Sequence, residues 1–431
     1  MAIRWAVASG NWSSTATWNG GNLPAVDDDV FADGFTVTVN QDVTAISLNT
    51  TQRSGGTNGG TFVCTTNRTI NANINAGGGV GLNITANCTV FINGSIQGSS
   101  TVNVAAVRIG AVVNLTVTGN VTAGAFTLAY GLSLDTGSGA STVTINGNVT
   151  GGEGVNSRGV AFLSNGTQTV TINGNVLGSV GNGGDGVYVS STNATVIIFG
   201  NVTARGSNGF ATAGGSLNVT ASVTGDIFGS STSNARYGLA LSTTGTIATA
   251  GRILGGGSAS SSGVFINGNC TYTHTGNVFG GSAASCRGII TQTGTPSCVV
   301  NGNVEGGSAS SAFGVFHTSS STFTINGNAI GGTLAGVVGI QNTSSGTVSL
   351  NGIAIASTVA EAVDNTSTGT FTIAAARHAS NGRSPWTGNG KILFSNLDLA
   401  HVTVNNAAHV SRMLGRRMLA PLGSFEGGLY G

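Results

Sequence analysis

Thr142-Val143-Thr144-Ile145-Asn146-Gly147-Asn148-Val149 recurs unchanged as Thr169-Val170-Thr171-Ile172-Asn173-Gly174-Asn175-Val176. Looser versions surround Gly302 and Gly327. With the central glycine as anchor, the phrase marks Gly94, Gly119, Gly147, Gly174, Gly200, Gly225, Gly251, Gly276, Gly302, Gly327 and Gly352, spaced 25 to 28 residues apart. Gly251 sits in the degenerate Ala250-Gly251-Arg252. A unit this short cannot close a core of its own. Successive units must stack and share an interior, which is the logic of a solenoid.

Aligned on the anchors, the chain resolves into columns. Four and two residues before each anchor stand apolar residues such as Val143 and Ile145, Val170 and Ile172, Val196 and Ile198, or Phe323 and Ile325. Five residues before it stand Thr142, Thr169, Thr195, Thr220, Thr246, Thr271, Thr322 and Thr347. This period-two alternation reads as a half-buried strand with its threonines outward. One residue past the anchor come Asn148, Asn175, Asn201, Asn277, Asn303 and Asn328, with Asp226 substituting in one unit. Side-chain amides stacked in this way are expected to bond along the stack. The next residue is apolar, as in Val121, Val149, Val176 and Val202, and opens a second strand. Twelve residues past many anchors a further glycine precedes an apolar residue, as in Gly159-Val160 and Gly186-Val187, and marks a third.

Asn-Gly between apolar runs is also a hairpin signal, so an antiparallel meander is the competing reading. A meander has no need of one residue type at one phase of the repeat, whereas parallel stacking places equivalent residues over one another. A propeller blade needs a longer period, and a leucine-rich repeat needs leucines that are missing here. The expected fold is therefore all-β: a right-handed parallel β-helix of about 11 to 12 coils, capped at both ends. The corner glycines are expected to supply positive φ. Residues 1–66 read as an N-terminal cap with the opening coils, 67–376 as the repeats, and 377–431 as a C-terminal cap with an attachment arm.

Composition narrows function. The chain has 72 glycines, 7% charged residues and a formal charge of +1, with Lys391 as its lysine. No basic stripe exists to track phosphates, which argues against nucleic acid as a partner. No apolar run reaches spanning length, and the opening Met-Ala-Ile-Arg-Trp lacks the layout of a signal peptide, so neither membrane insertion nor Sec-type export is expected. Cys64, Cys88, Cys270, Cys286 and Cys298 lack metal-ligand spacing, and Cys298 falls in an inward column, as a small apolar filler would. His274 is also inward, and His317 stands apart from it. No metal or cofactor is expected.

Glycan cleavage needs two carboxylates a few ångströms apart. The acids within the coils are Asp135, Glu153, Asp185, Asp226, Glu305, Glu361 and Asp364, and no two share a phase in adjacent coils. Glu153 and Asp185, on neighbouring coils but offset, are the best candidate pair. The paired threonines of Thr142 with Thr144 and Thr169 with Thr171 suggest an ice-binding face, but the pattern breaks at Ile197, Ala248 and Val299. Outside the repeats, Trp5, Trp12, Trp18 and Trp386 supply bulk for caps. In the arm, Val410, Met413, Leu414 and Met418 follow helical spacing with Arg412, Arg416 and Arg417 between them, which predicts a helix docked on the last coil or anchored to a partner.

The opening Gly10-Asn11-Trp12-Ser13-Ser14-Thr15-Ala16-Thr17-Trp18-Asn19-Gly20-Gly21-Asn22-Leu23-Pro24, followed by Asp28-Asp29-Val30 and Phe35-Thr36-Val37-Thr38-Val39, resembles the first segment of β-helical surface proteins of tailed bacteriophages and bacterial adhesins. The Asn-Gly-Asn-Val coils behind it are similar in style to phage fibre and spike shafts. The resemblance implies a virion surface component, commonly a homotrimer, made in the host cytoplasm without a signal peptide and held by other capsid or tail proteins. The expected role is a non-enzymatic fibre, spike or capsid-decorating rod. The alternatives are a tailspike that binds or cleaves a host-surface glycan and a bacterial surface adhesin.

Overall fold

The computed structural model describes residues 2–53, 59–77, 80–99, 104–135, 140–213, 217–231, 237–308, 311–332, 337–356, 362–378, 386–387, 391–394, 410–414 and 417–418. The chain divides into two compact units, the first formed by Met1–Ala213 with Leu217–Gly225 and the second by Gly214–Ser216 with Asp226–Gly431. Both are built from parallel strands stacked as a β-solenoid, about 13 turns in all. The parallel pairing excludes the antiparallel meander.

A repeat coil of unit 1 contributes three strands, as in Ser141–Ile145, Val149–Thr150 and Val160–Phe162. The first two join one sheet and the third joins another. Register follows the repeat residue for residue. Thr142 pairs with Thr169, Val143 with Val170 and Ile145 with Ile172, and the next coil continues through Thr195, Val196 and Ile198. Alternation then sorts the side chains. Val143, Ile145, Val170, Ile172, Val196 and Ile198 are fully buried, while Thr142 is exposed and Thr169 and Thr195 are half-buried. Each of these interior valines and isoleucines contributes about 1.5–3 kcal/mol relative to solvent exposure.

The winding starts well before the repeats. Ile3–Trp5 pairs in parallel with Asp29–Phe31, and that strand with Val43–Asn49. Trp12 and Trp18 pack edge to face with centroids 5.0 Å apart, and the Trp18 indole N–H donates to the Trp12 carbonyl at 2.8 Å. Both are almost fully buried. These rings fill the first coils, where the smaller repeat residues are not available to do so.

Unit 2 repeats the plan. Thr271–Thr275 runs between Thr246–Ala250 and Ser297–Asn301, placing Tyr272 over Ile247 and Cys298 over Tyr272. Towards the C-terminus, Trp386–Thr387 pairs with Val363–Asn365, and Lys391–Phe394 with Thr370–His378. The arm corrects the helical expectation. Val410–Leu414 is a strand pairing in parallel with Lys391–Phe394, and Met413 and Leu414 pair antiparallel with Met418 and Arg417. An open sheet edge offers a row of backbone partners, and here that outweighs local helical spacing. Arg416 lies outside the described residues, as does Glu361.

Candidate functional site

The recurring corner is the most elaborated feature of the chain. Its glycines are there for lack of space. A Cβ on Gly147 would sit 2.5 Å from the Gly119 carbonyl oxygen, and one on Gly174 or Gly327 would run into Gly147 or Gly302 in the same way. Among the anchors only Gly251 and Gly276 have positive φ, 95° and 133°. This corrects the expectation that the corners need left-handed backbone: the glycine column exists because adjacent coils touch there.

Next to each anchor the asparagines form a ladder of a definite kind. The Asn148 backbone N–H donates to Asn120 Oδ1, Asn175 N–H to Asn148 Oδ1 and Asn201 N–H to Asn175 Oδ1, each at 2.8 Å. In unit 2, Asn303 N–H donates to Asn277 Oδ1 at 3.0 Å, Asn328 N–H to Asn303 Oδ1 at 2.9 Å and Ile353 N–H to Asn328 Oδ1 at 2.9 Å. The donor is thus the backbone of the next coil rather than a second amide. Asp226 does the same job for the Arg252 N–H at 2.7 Å and also takes its guanidinium at 2.8 Å. Partial burial alone would raise the Asp226 pKa, but the Arg252 N–H and guanidinium outweigh it and hold the carboxyl below its ordinary range.

A second ladder, one residue before the anchor, is amide to amide. Asn173 Nδ2 donates to Asn146 Oδ1, Asn326 Nδ2 to Asn301 Oδ1 and Asn351 Nδ2 to Asn326 Oδ1, all at 2.6 Å. The Asn-Gly-Asn phrase carries the signal for this ladder too, in the residue before the glycine.

The candidate acids sit among structural partners. Asp185 is buried, 3.4 Å from Arg158 Nε of the preceding coil, and accepts from the Asn208 N–H and Nδ2 of the following one at 3.0 and 3.1 Å. Burial raises its pKa, against the pull of Arg158 and Asn208. Arg158 in turn lies 3.6 Å over the Tyr188 ring. Glu153, its candidate partner, is exposed. Asp135 binds Arg108 at 2.7 Å and accepts from Ser133 at 2.7 Å, and Asp364 accepts from Gln341 at 2.7 Å. Apart from the Ser133 bond, which is local, these contacts join neighbouring coils, which is what a stack needs.

The outward threonines form in-register columns, Thr142 to Thr220 in unit 1 and Thr246 to Thr347 in unit 2, the latter passing through Ser297. Their second column is interrupted where Thr171 meets Ile197 and where Thr273 lies between Ala248 and Val299. No continuous Thr-x-Thr array results.

Comparison with known proteins found no matching family model, no matching curated protein and no matching solved structure.

Inside unit 2 lie two fully buried imidazoles. His274 Nδ1 meets Thr249 Oγ1 at 2.9 Å while its Nε2 is buried with no hydrogen-bond partner, and His317 Nδ1 meets Thr291 Oγ1 at 2.6 Å. Burial pushes both pKa values down to about 4. Cys64, Cys88, Cys270, Cys286 and Cys298 are all free and buried. Among the described residues, no three His, Cys, Asp or Glu side chains are placed to hold a metal ion, and no helix is long and apolar enough to cross a membrane. A shallow open groove of about 430 Å³ on unit 1 is lined by Asn73, Asn75, Ser95, Gln97, Asn120 and Thr122 around Ile96. It offers amides and hydroxyls but no acid, base or nucleophile pair.

Proposed function

We propose that this protein is a non-enzymatic structural component of a bacteriophage particle: a rigid β-solenoid fibre, spike or capsid-decorating protein on the virion surface. The observation that carries the reading is the use made of the polar side chains. Corner asparagines, together with Asp135, Asp185, Asp226 and the arginines facing them, hold coil to coil. A chain whose polar groups serve its own stacking contributes stiffness and length. The direction towards phage comes from the opening Gly10–Pro24 segment, whose Trp12 and Trp18 close the first coils, and from the Asn-Gly-Asn-Val style of the repeats.

On this reading the protein is made in the host cytoplasm, is held by capsid or tail proteins and is displayed as a homo-oligomer, with a trimer favoured. The test is to purify intact particles and measure by quantitative mass spectrometry whether the chain sediments with them at fixed stoichiometry. Particles that lack it under all conditions overturn the proposal. Incubation of the purified protein with host polysaccharide is expected to release no reducing ends. Release would favour the tailspike alternative, for which the amide-lined groove near Asn73 and Asn120 is the place to look.

A further inference from the structure

Two outer faces of unit 2 carry apolar columns. On the second strand of successive coils the outward residue is Phe228, Leu254, Phe279, Glu305 and Ile330, in register. Unit 1 has Gln97, Thr122, Thr150, Leu177 and Thr203 in the equivalent column. Leu254 is 39% exposed and the rest of the unit 2 column is half-buried. On the third strand, half-buried Phe265 and Phe316 flank Ile290, itself only 8% exposed, in one column, Tyr237 stacks on Phe265 at 4.6 Å, and Arg287 lies 4.5 Å over Phe316. The two columns face opposite ways. The strands that bear them pack by their inner sides, so closely that a Cβ on Gly263 or Gly288 would meet a Val278 or Val304 methyl at 2.5 or 2.6 Å.

Each face also carries one charge without a counter-ion. Arg108, Arg158 and Arg252 each bind an aspartate of an adjacent coil. Arg287 has no carboxylate in ion-pairing range among the described residues, its Nε is buried with no hydrogen-bond partner, and burial lowers its pKa. Glu305 stands alone in an otherwise apolar column, with no cation in ion-pairing range among the described residues. A half-buried unpaired charge is costly, and an opposite charge brought up to it removes that cost.

We propose that unit 2 associates side by side with a second copy of this chain, the third-strand face of one copy packing on the second-strand face of the next. Arg287 of one copy then meets Glu305 of its neighbour, and aromatic rings cover the Leu254 and Phe279 column. Both halves of the contact come from one chain, share one coil spacing of ~4.8 Å and carry opposite charges. Because each copy uses two different faces, the contact is heterologous, and it repeats from copy to copy as a ring where the rotation closes and as an open array where it does not. The inference does not rest on the phage reading, since lateral assembly and particle incorporation are measured separately.

The experiment is sedimentation of the full chain and of Glu305→Arg, Arg287→Glu and the double swap, with circular dichroism as the check on folding. The wild type should assemble, each single reversal should weaken assembly tenfold or more, and the double swap should restore it. Leu254→Ser, at an exposed position, tests the apolar half independently and should also weaken assembly. A wild type that stays monomeric at about 100 µM, or a double swap no better than the single reversals, overturns the proposal.

Discussion

Acid should loosen unit 2 through its two core histidines. His274 is enclosed by Thr249, Tyr272 and Val300, and His317 by Thr291, Ser321, Phe323 and Asn342. Tyr272, stacked with His274, has its pKa raised by burial, as do Cys270 and Cys298 near Tyr272, so none of the three carries a negative charge below neutrality to offset an imidazolium. Both histidines are held near 4 in the fold against 6.5 when exposed. The unfolded chain therefore binds protons first, and stability rises with pH between those values. As pH falls from 6.5 the contribution is lost, and below about 4 the loss levels off because the folded state is protonated too. At about 1.4 kcal/mol per tenfold change in proton affinity, the full loss is about 3 kcal/mol for each histidine, and at pH 5 about 2 kcal/mol each. That is a large share of the ~5–15 kcal/mol that holds a typical domain folded. Urea unfolding followed by circular dichroism at pH 7 and pH 5, on the wild type and on His274→Val with His317→Val, measures it. The wild type should lose about 4 kcal/mol more than the double variant over that interval. Equal losses would refute the reasoning.

Three further outcomes follow from the corner and the cap. Gly174→Ala should destabilise by about 1–3 kcal/mol, because its methyl meets the Gly147 carbonyl, whereas Gly110→Ala, whose nearest neighbour would be 3.6 Å away, should be tolerated in the same thermal melts. Asn175→Ala removes the acceptor of the Asn201 N–H and should cost about 1 kcal/mol by denaturant titration, while Asn175→Asp, copying Asp226, should cost less; an aspartate as damaging as alanine would contradict the acceptor role. Trp18→Ala should cost about 3–5 kcal/mol by losing the Trp12 contact and leaving a cavity, seen as an early loss of tryptophan fluorescence change on unfolding.

Much of the architecture was legible because a stacked fold writes its geometry as repetition. Thr142, Thr169 and Thr195 share a phase in the sequence and a column in space, and Val143 and Val170 are buried for the same reason. What escaped depends on quantities that a sequence does not display. The Asn148 column was readable, but that its oxygens accept from backbone N–H groups depends on where the next coil's amides point. Glycine at the anchor has two physical causes, positive φ and close approach, and one letter cannot separate them. Asp185 has its partner not in another acid but in Arg158, which is 27 residues earlier and so about one coil away. At Val410–Leu414, apolar spacing was a local signal overridden by a sheet edge that exists only once Lys391–Phe394 has paired.

The corner columns and the outer columns are under different physical constraints. At an anchor, any side chain collides with the coil beneath, so variation there is paid in stability whatever the protein does. On the outward positions nothing in the stack dictates the residue, since threonine serves at position 150 and phenylalanine at 279 on equivalent strands. A half-exposed phenylalanine gains nothing from water, and an arginine without a counter-ion gains less than its paired equivalents at 108, 158 and 252. Within the chain Arg287 has the Phe316 ring 4.5 Å away but no carboxylate among the described residues, and the proposed contact between copies would supply one. The second- and third-strand faces around Phe279 and Arg287 are therefore the surface to perturb, and charge reversal there is more diagnostic than any substitution in the threonine column.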